Sequence, residues 1–170
     1  MNWTRTPLLA MAFTAAVASY AWAAGGPPGH SHGDHKTELP FGEPGDPKKP
    51  ARPVSIVMTD GDGKMSFIPS VIEVKQGDQI KFMLRNNGIS DHEIVLATLE
   101  MNLEHAKEMA KNPDMEHDDP NAKRLAPKKT GEILWRFTKV GEFDFSCLIP
   151  GHREAGMTGK IIVKPATAAK

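Results

Sequence analysis

The chain has 170 residues, with 21 Lys and Arg against 21 Asp and Glu and a formal net charge of zero. That balance argues against a nucleic-acid partner, which calls for a concentrated basic face. The single cysteine, Cys147, excludes an intramolecular disulfide, so the fold must be held by its apolar core.

Residues 1–23 read as a secretory signal. Arg5 supplies the positive start, Leu8 to Ala18 is an apolar run too short to span a membrane, and Ala21 and Ala23 are small residues suited to cleavage after Ala23. No twin-arginine pair precedes the run, which implies export unfolded and metal loading after translocation, and the shortness of the run implies no stable membrane anchor once the signal is removed. Residues 24–52 are rich in Gly and Pro and poor in apolar side chains, so they are expected to form a mobile tail. The recurrence of Pro40, Pro44, Pro47, Pro50 and Pro53 suggests a semi-stiff spacer. Ahead of it, His30, His32 and His35 with Asp34 have a composition that can chelate Cu(II) or zinc; the alternative is a solvated polar tail without metal.

The body then alternates with period two. Val54 to Thr59 ends at the turn Asp60-Gly61-Asp62-Gly63, and Lys64 to Ile68 restarts as its hairpin partner. Val71 to Val74 is a short strand, and Gln79 to Leu84 places Ile80, Phe82 and Leu84 on one face. Asn86-Asn87-Gly88 is a turn, and His92 opens a strand that runs to Leu96. Short strands separated by turns, without a βαβ rhythm, predict a sandwich or barrel.

Leu99 to Asn112 is helical by composition and is ended by Pro113. On a helical wheel, Leu99, Leu103, Ala106 and Ala110 form the expected packing face, with Met101, His105 and Met109 at one-turn spacing on the far and flanking side. Two thioethers and an imidazole so placed suit Cu(I), and Met115 and His117 would complete a second copper site if the segment beyond Pro113 folds back. The alternative is that Met101 and Met109 pack beneath the acidic segment and His105 is simply solvated. Residues 114–127 read as a polar surface loop, and Glu132 to Phe137 as another strand in which Trp135 is a core aromatic.

Glu142, Phe143, Asp144, Phe145 and Ser146 alternate polar and apolar residues and lead to Cys147. Cys147, His152 and Met157 follow one another at intervals of five residues, in a loop shaped by Pro150, Gly151 and Gly156. Singly, each is an ordinary core or surface residue. Together they are the donor types of a type 1 copper site: a thiolate that binds both oxidation states, an imidazole beside it, and a long axial thioether that favours Cu(I). A second imidazole completes such a set.

The run from Phe143 to Val163 resembles the C-terminal copper loop of the cupredoxins, the plastocyanin/azurin group, and the resemblance spans roughly Pro53 to Pro165. It implies an all-β Greek-key sandwich or barrel over 53–170, with a helix-containing insert at about 97–131. It also implies that the first imidazole ligand stands at the start of an upstream strand after an Asn/Gly-rich turn, which is His92. Three of the other histidines lie in the tail and two in the helix and acidic segment. The implied set around one type 1 copper ion is therefore His92, Cys147, His152 and Met157. One departure stands out: many members follow this histidine with an Asn whose side chain ties the two ligand loops together, whereas here Glu93 follows it. An ionised carboxylate cannot donate that bond.

The long insert and the His-bearing tail resemble the copper-tolerance cupredoxins of Gram-negative bacteria. This implies a periplasmic copper-handling protein with one-electron Cu(I)/Cu(II) chemistry and additional copper ions at the tail or helix. The alternative is a dedicated electron carrier that docks a redox partner on Leu148, Ile149, Pro150 and Ala155 around His152. A catalytic copper enzyme is not expected. Cys147 is flanked by Ser146 and Leu148 rather than by a histidine leading to a second copper, and four protein ligands leave no open position for substrate.

Overall fold

The period-two segments fold as strands in the computed structural model of the protein, which describes Met1 and residues 39–112 and 119–166. Among the described residues, ten strands form two five-stranded sheets. The first contains β1 (Glu43–Pro44), β2 (Arg52–Gly61), β3 (Lys64–Ile68), β5 (Gln79–Asn86) and β8 (Thr130–Arg136), in the order β1-β8-β5-β2-β3. The second contains β4 (Val71–Lys75), β6 (His92–Ala97), β7 (Ala122–Leu125), β9 (Gly141–Ser146) and β10 (Thr158–Lys164), in the order β4-β10-β9-β6-β7. β2 runs parallel to β5 and β4 parallel to β10, while the other pairs are antiparallel. The chain thus crosses between sheets, and the result is the expected Greek-key sandwich.

Alternation decides which side chains meet between the sheets. In β5, Ile80, Phe82 and Leu84 are buried while Met83 and Arg85 face out; in β10, Ile161 and Val163 are buried while Lys160 and Lys164 face out. These inward sets join Ile56, Phe67, Trp135 and Phe145 in one core. Packing is close enough that a Cβ on Gly159 would lie 2.1 Å from Phe145 Cζ.

Residues 39–52, expected in the mobile tail, are instead docked on the sandwich. Phe41 is wholly buried and stacks on Trp135 with ring centroids 5.1 Å apart, and β1 pairs with β8. The Gln79 side chain accepts from Asp46 N and donates to Asp46 O and Lys49 O. One large aromatic in a polar stretch brings enough apolar area to hold its neighbours, and composition averaged over the stretch hides it.

The insert also differs from its expected form. Residues 122–125, expected in a surface loop, are the edge strand β7, in which Lys123 and Arg124 point outward. Edge strands carry such charges because they discourage pairing with other chains. The helix α1 (Leu99–Lys111) forms as expected and is capped by Thr98, whose side chain accepts from Met101 N. Its orientation is not the expected one. Leu99 and Leu103 are about half exposed, and the buried residues are Asn102 and Met109, with Ala106 beside them. Asn102 Nδ2 donates to Val95 O at 3.1 Å and to Asp144 Oδ1 at 2.7 Å. These two acceptors on the sheet turn Asn102 inward, and the helix follows.

With α1 over it, β6 is buried along its whole length. Ile94 and Leu96 belong to the main core, while Val95 packs with Met109 and Leu148 beneath the helix. Period two puts His92 on the same side as Ile94 and Leu96, at the end of the sandwich where the loop after β9 returns.

Candidate metal centre

Cys147 ends β9, and the loop that follows is folded on itself before β10 begins. His152 N donates to Ile149 O, Ala155 N to Gly151 O and Gly156 N to Arg153 O, each at 3.0 Å. Two positive-φ glycines, Gly151 at +87° and Gly156 at +102°, permit these turns. Cys147 N donates to Met157 O at 3.1 Å and Met157 N to His152 O at 3.0 Å, so the three candidate donors of the loop are tied by backbone bonds. From the other sheet, Met65 N donates to Ala155 O at 3.1 Å.

His92 arrives from β6, as the resemblance implied. One donor atom each from His92, Cys147 and His152 lie within 4.8 Å of one another. His92 Nδ1 is 3.3 Å from His152 Nδ1, and Cys147 Sγ is 3.3 Å from the same nitrogen. His92 and Cys147 are wholly buried, whereas His152 is half-buried. Met157 is wholly buried in the same core cluster as Cys147.

Burial pushes the Cys147 thiol up to about 12, opposed by backbone N–H groups of Glu93 and Ile149. Burial likewise lowers both imidazoles, with the Asp60 carboxylate opposing the effect at His92 and the neighbouring His92 adding to it at His152. Without metal the cluster is thus a neutral thiol and two neutral imidazoles. A thiol and two imidazole nitrogens converging in a buried, mostly apolar site fit a soft or borderline metal ion and are a poor site for hard cations, which need oxygen donors. The donor set therefore fits copper, which would supply one-electron chemistry and take the sulfur as thiolate.

Three neighbours support the donors. Glu93, the residue where the family pattern has Asn, still ties the two ligand segments: its Oε1 accepts from Leu148 N at 3.0 Å, and its own N–H donates to Cys147 Sγ at 3.4 Å. The tie is kept by a carboxylate that accepts. Arg153, next to His152, donates to Asp144 Oδ1 at 3.0 Å and to Ser146 Oγ, and Asp144 also binds Asn102 of α1. The loop after β9 and the helix thus share one buried carboxylate. Asp60, at the end of β2, accepts from Ile89 N at 2.8 Å and from Ser90 N at 2.9 Å, and its Oδ2 lies 3.4 Å from His92 Nε2. Burial alone would raise the Asp60 carboxyl, but the Ile89 and Ser90 donors and His92 outweigh it and hold the carboxyl at about 2.

Other residues singled out in the sequence fall elsewhere. Met109 is wholly buried under α1, Met101 is exposed and His105 is half-buried, so Met101, His105 and Met109 do not form an outward-facing stripe. Met115, His117, His30, His32 and His35 lie outside the described residues. Of the expected docking patch, Leu148 is buried against Met109 and Val95, Ile149 and Ala155 are half-buried, and Pro150 is exposed. Ile89, which sequence reasoning passed over, is 84% exposed in the loop before His92. Asp60 was also passed over, because in sequence it belongs to an ordinary turn signal.

A two-sheet sandwich with a buried cysteine and two histidines converging at one end defines a class, the type 1 copper proteins. Residues 54–164 match the family described as copper binding proteins, plastocyanin/azurin family. The chain belongs to that family. It is 43% identical over 164 residues to the copper-resistant cuproprotein CopI of Rubrivivax gelatinosus, covering 92% of this chain and 98% of the relative. To the copper-resistant cuproprotein CopI of Pseudomonas aeruginosa it is 34% identical over 154 residues, covering 74% of this chain and 83% of that one. Among solved structures it is similar to a reduced auracyanin from Roseiflexus castenholzii, with a TM-score of 0.55 at 23% identity over 65% of this chain and 97% of the other.

Proposed function

We propose that the protein holds one type 1 copper ion through His92, Cys147, His152 and Met157, and that it acts in copper tolerance in the periplasm. The observation that carries the reading is the convergence of a buried thiol and two imidazoles within 4.8 Å. The names of the two CopI relatives, both copper-resistant cuproproteins, support the tolerance role. The expected export signal supports the compartment. Four protein ligands would leave the ion without a position for substrate, so the protein is read as a carrier or holder of copper and of electrons rather than an enzyme.

A second reading, electron transfer to a redox protein, is favoured by one observation. His152 is only half-buried, and Ile89 and Pro150 are exposed in the two loops that hold the donors. Electrons would leave through the His152 edge and the partner would dock on that apolar rim. The two readings share the same copper site.

The test uses cells from which the gene has been deleted, grown across a range of copper concentrations. Restoring the wild-type gene should restore tolerance, and Cys147→Ser should not. Deletion without any copper sensitivity, together with a growth defect tied to one respiratory chain, would favour the carrier. Equal tolerance conferred by wild type and Cys147→Ser would reject the site as the origin of the function.

A further inference from the structure

Asp60 contacts His92 on the side opposite the donor cluster. Its side chain is 8% exposed, and its Oδ2 lies 3.4 Å from His92 Nε2. That nitrogen is buried and has no hydrogen bond of good geometry among the described residues. The other ring nitrogen, Nδ1, faces His152 Nδ1 at 3.3 Å. Asp60 is itself fixed, because each of its oxygens accepts a backbone N–H, from Ile89 and from Ser90. The approach is tight: a Cβ on Gly88 would lie 2.4 Å from Asp60 Oδ1 and 2.8 Å from His92 Nε2.

A carboxylate only accepts, so the imidazole nitrogen that faces it must carry the proton. The lone pair is then left on Nδ1, pointing at the cluster. We propose that Asp60 is a positioning residue for the metal centre: it holds His92 as the Nε2–H tautomer before any metal arrives, and its fixed negative charge favours Cu(II) over Cu(I). Carboxylate partners of ligand histidines act in this way at other metal sites, fixing the tautomer and raising ligand basicity. The same carboxylate clamps the loop before His92, so β2 holds both the backbone and the ring.

The proposal rests on the reading of His92 as a copper ligand only for its second half. Its first half concerns the metal-free protein and is tested there. Long-range proton–nitrogen correlation spectra of the metal-free wild type at neutral pH should show His92 with its proton on Nε2 alone. A proton on Nδ1 in the wild type overturns the proposal, whether or not any variant folds. In Asp60→Asn the tautomers should mix, Cu(II) affinity should fall by about 10–100-fold, and Cu(I) affinity should fall less. Each tenfold loss of Cu(II) preference raises the reduction potential by about 59 mV. Asp62→Asn serves as the control: it removes an exposed carboxylate of the same turn and leaves Asp60 and both of its loop bonds in place, so tautomer and affinity ratio should stay as in wild type. If Asp60→Asn keeps the Nε2–H tautomer and the wild-type ratio of Cu(II) to Cu(I) affinity, Asp60 is a loop clamp only. If no form binds copper at His92 but the tautomer still depends on Asp60, the copper reading fails and the positioning of His92 stands.

Discussion

The backbone N–H of Glu93 points at Cys147 Sγ from 3.4 Å, across 54 positions of sequence. The same residue's carboxylate accepts from Leu148 N at 3.0 Å, so one residue braces the cysteine from both sides. Glu93→Ala leaves the buried Leu148 N–H without this acceptor and is expected to cost about 2 kcal/mol. Glu93→Gln keeps an acceptor and should cost much less. Glu93 also pushes the Cys147 thiol upward through its charge, so Glu93→Gln should make the metal-free thiol more acidic. Urea unfolding and the ultraviolet absorbance of the thiolate against pH check the two effects. Equal stability of the Ala and Gln variants would show that the Leu148 bond carries no weight.

Copper binding should release about one proton at neutral pH, because the metal-free thiol is protonated and a bound sulfur is a thiolate. The sign follows from the shifts. The thiol is pushed up to about 12, so its proton is present at pH 7 and must leave; the imidazoles are lowered and have none to give. Affinity should therefore rise about tenfold per pH unit from neutral upward. Because the imidazole values are lowered, this slope should persist further into acid than ordinary histidines allow. Calorimetry in buffers of different ionisation enthalpy measures the protons released. A count near zero at pH 7 would mean that sulfur is not a ligand.

Met109 belongs to the small core under α1 with Val95 and Leu148, and it is fully buried. Met109→Ala should cost about 3 kcal/mol by leaving a cavity there, whereas Met101→Ala on the exposed side should change stability little. Cu(I) stoichiometry of the protein should be the same in both. A Met109→Ala protein of wild-type stability that binds one Cu(I) fewer would return Met109 to the role of an outward ligand.

What the sequence made legible was local. The strands announce themselves by alternation within a few residues, as in Ile80, Phe82 and Leu84, and the Cys147, His152 and Met157 loop lies in a single run. His92 needed the family resemblance, since nothing near it in sequence points to Cys147. The misread features all depend on distant partners. The face of α1 is set by Asp144, 42 positions from Asn102, and the docking of Phe41 depends on Trp135 in another strand. Asp60 looks like a turn residue until β2 is laid beside the loop carrying Ile89 and Ser90, about 30 positions on. In sequence Glu93 reads as the loss of a tie, because the identity of the side chain does not say whether the partner across the gap is a donor or an acceptor.

The central claim is that Cys147 is the sulfur donor of a type 1 copper centre, and the visible and electron paramagnetic resonance spectra of the copper-loaded protein and its Cys147→Ser variant test it most directly. The wild type should bind copper with an intense sulfur-to-copper charge-transfer band and a small parallel hyperfine splitting. The Cys147→Ser protein should lose the band and remain a folded sandwich by circular dichroism. An unchanged visible spectrum in the Cys147→Ser protein would contradict the claim outright.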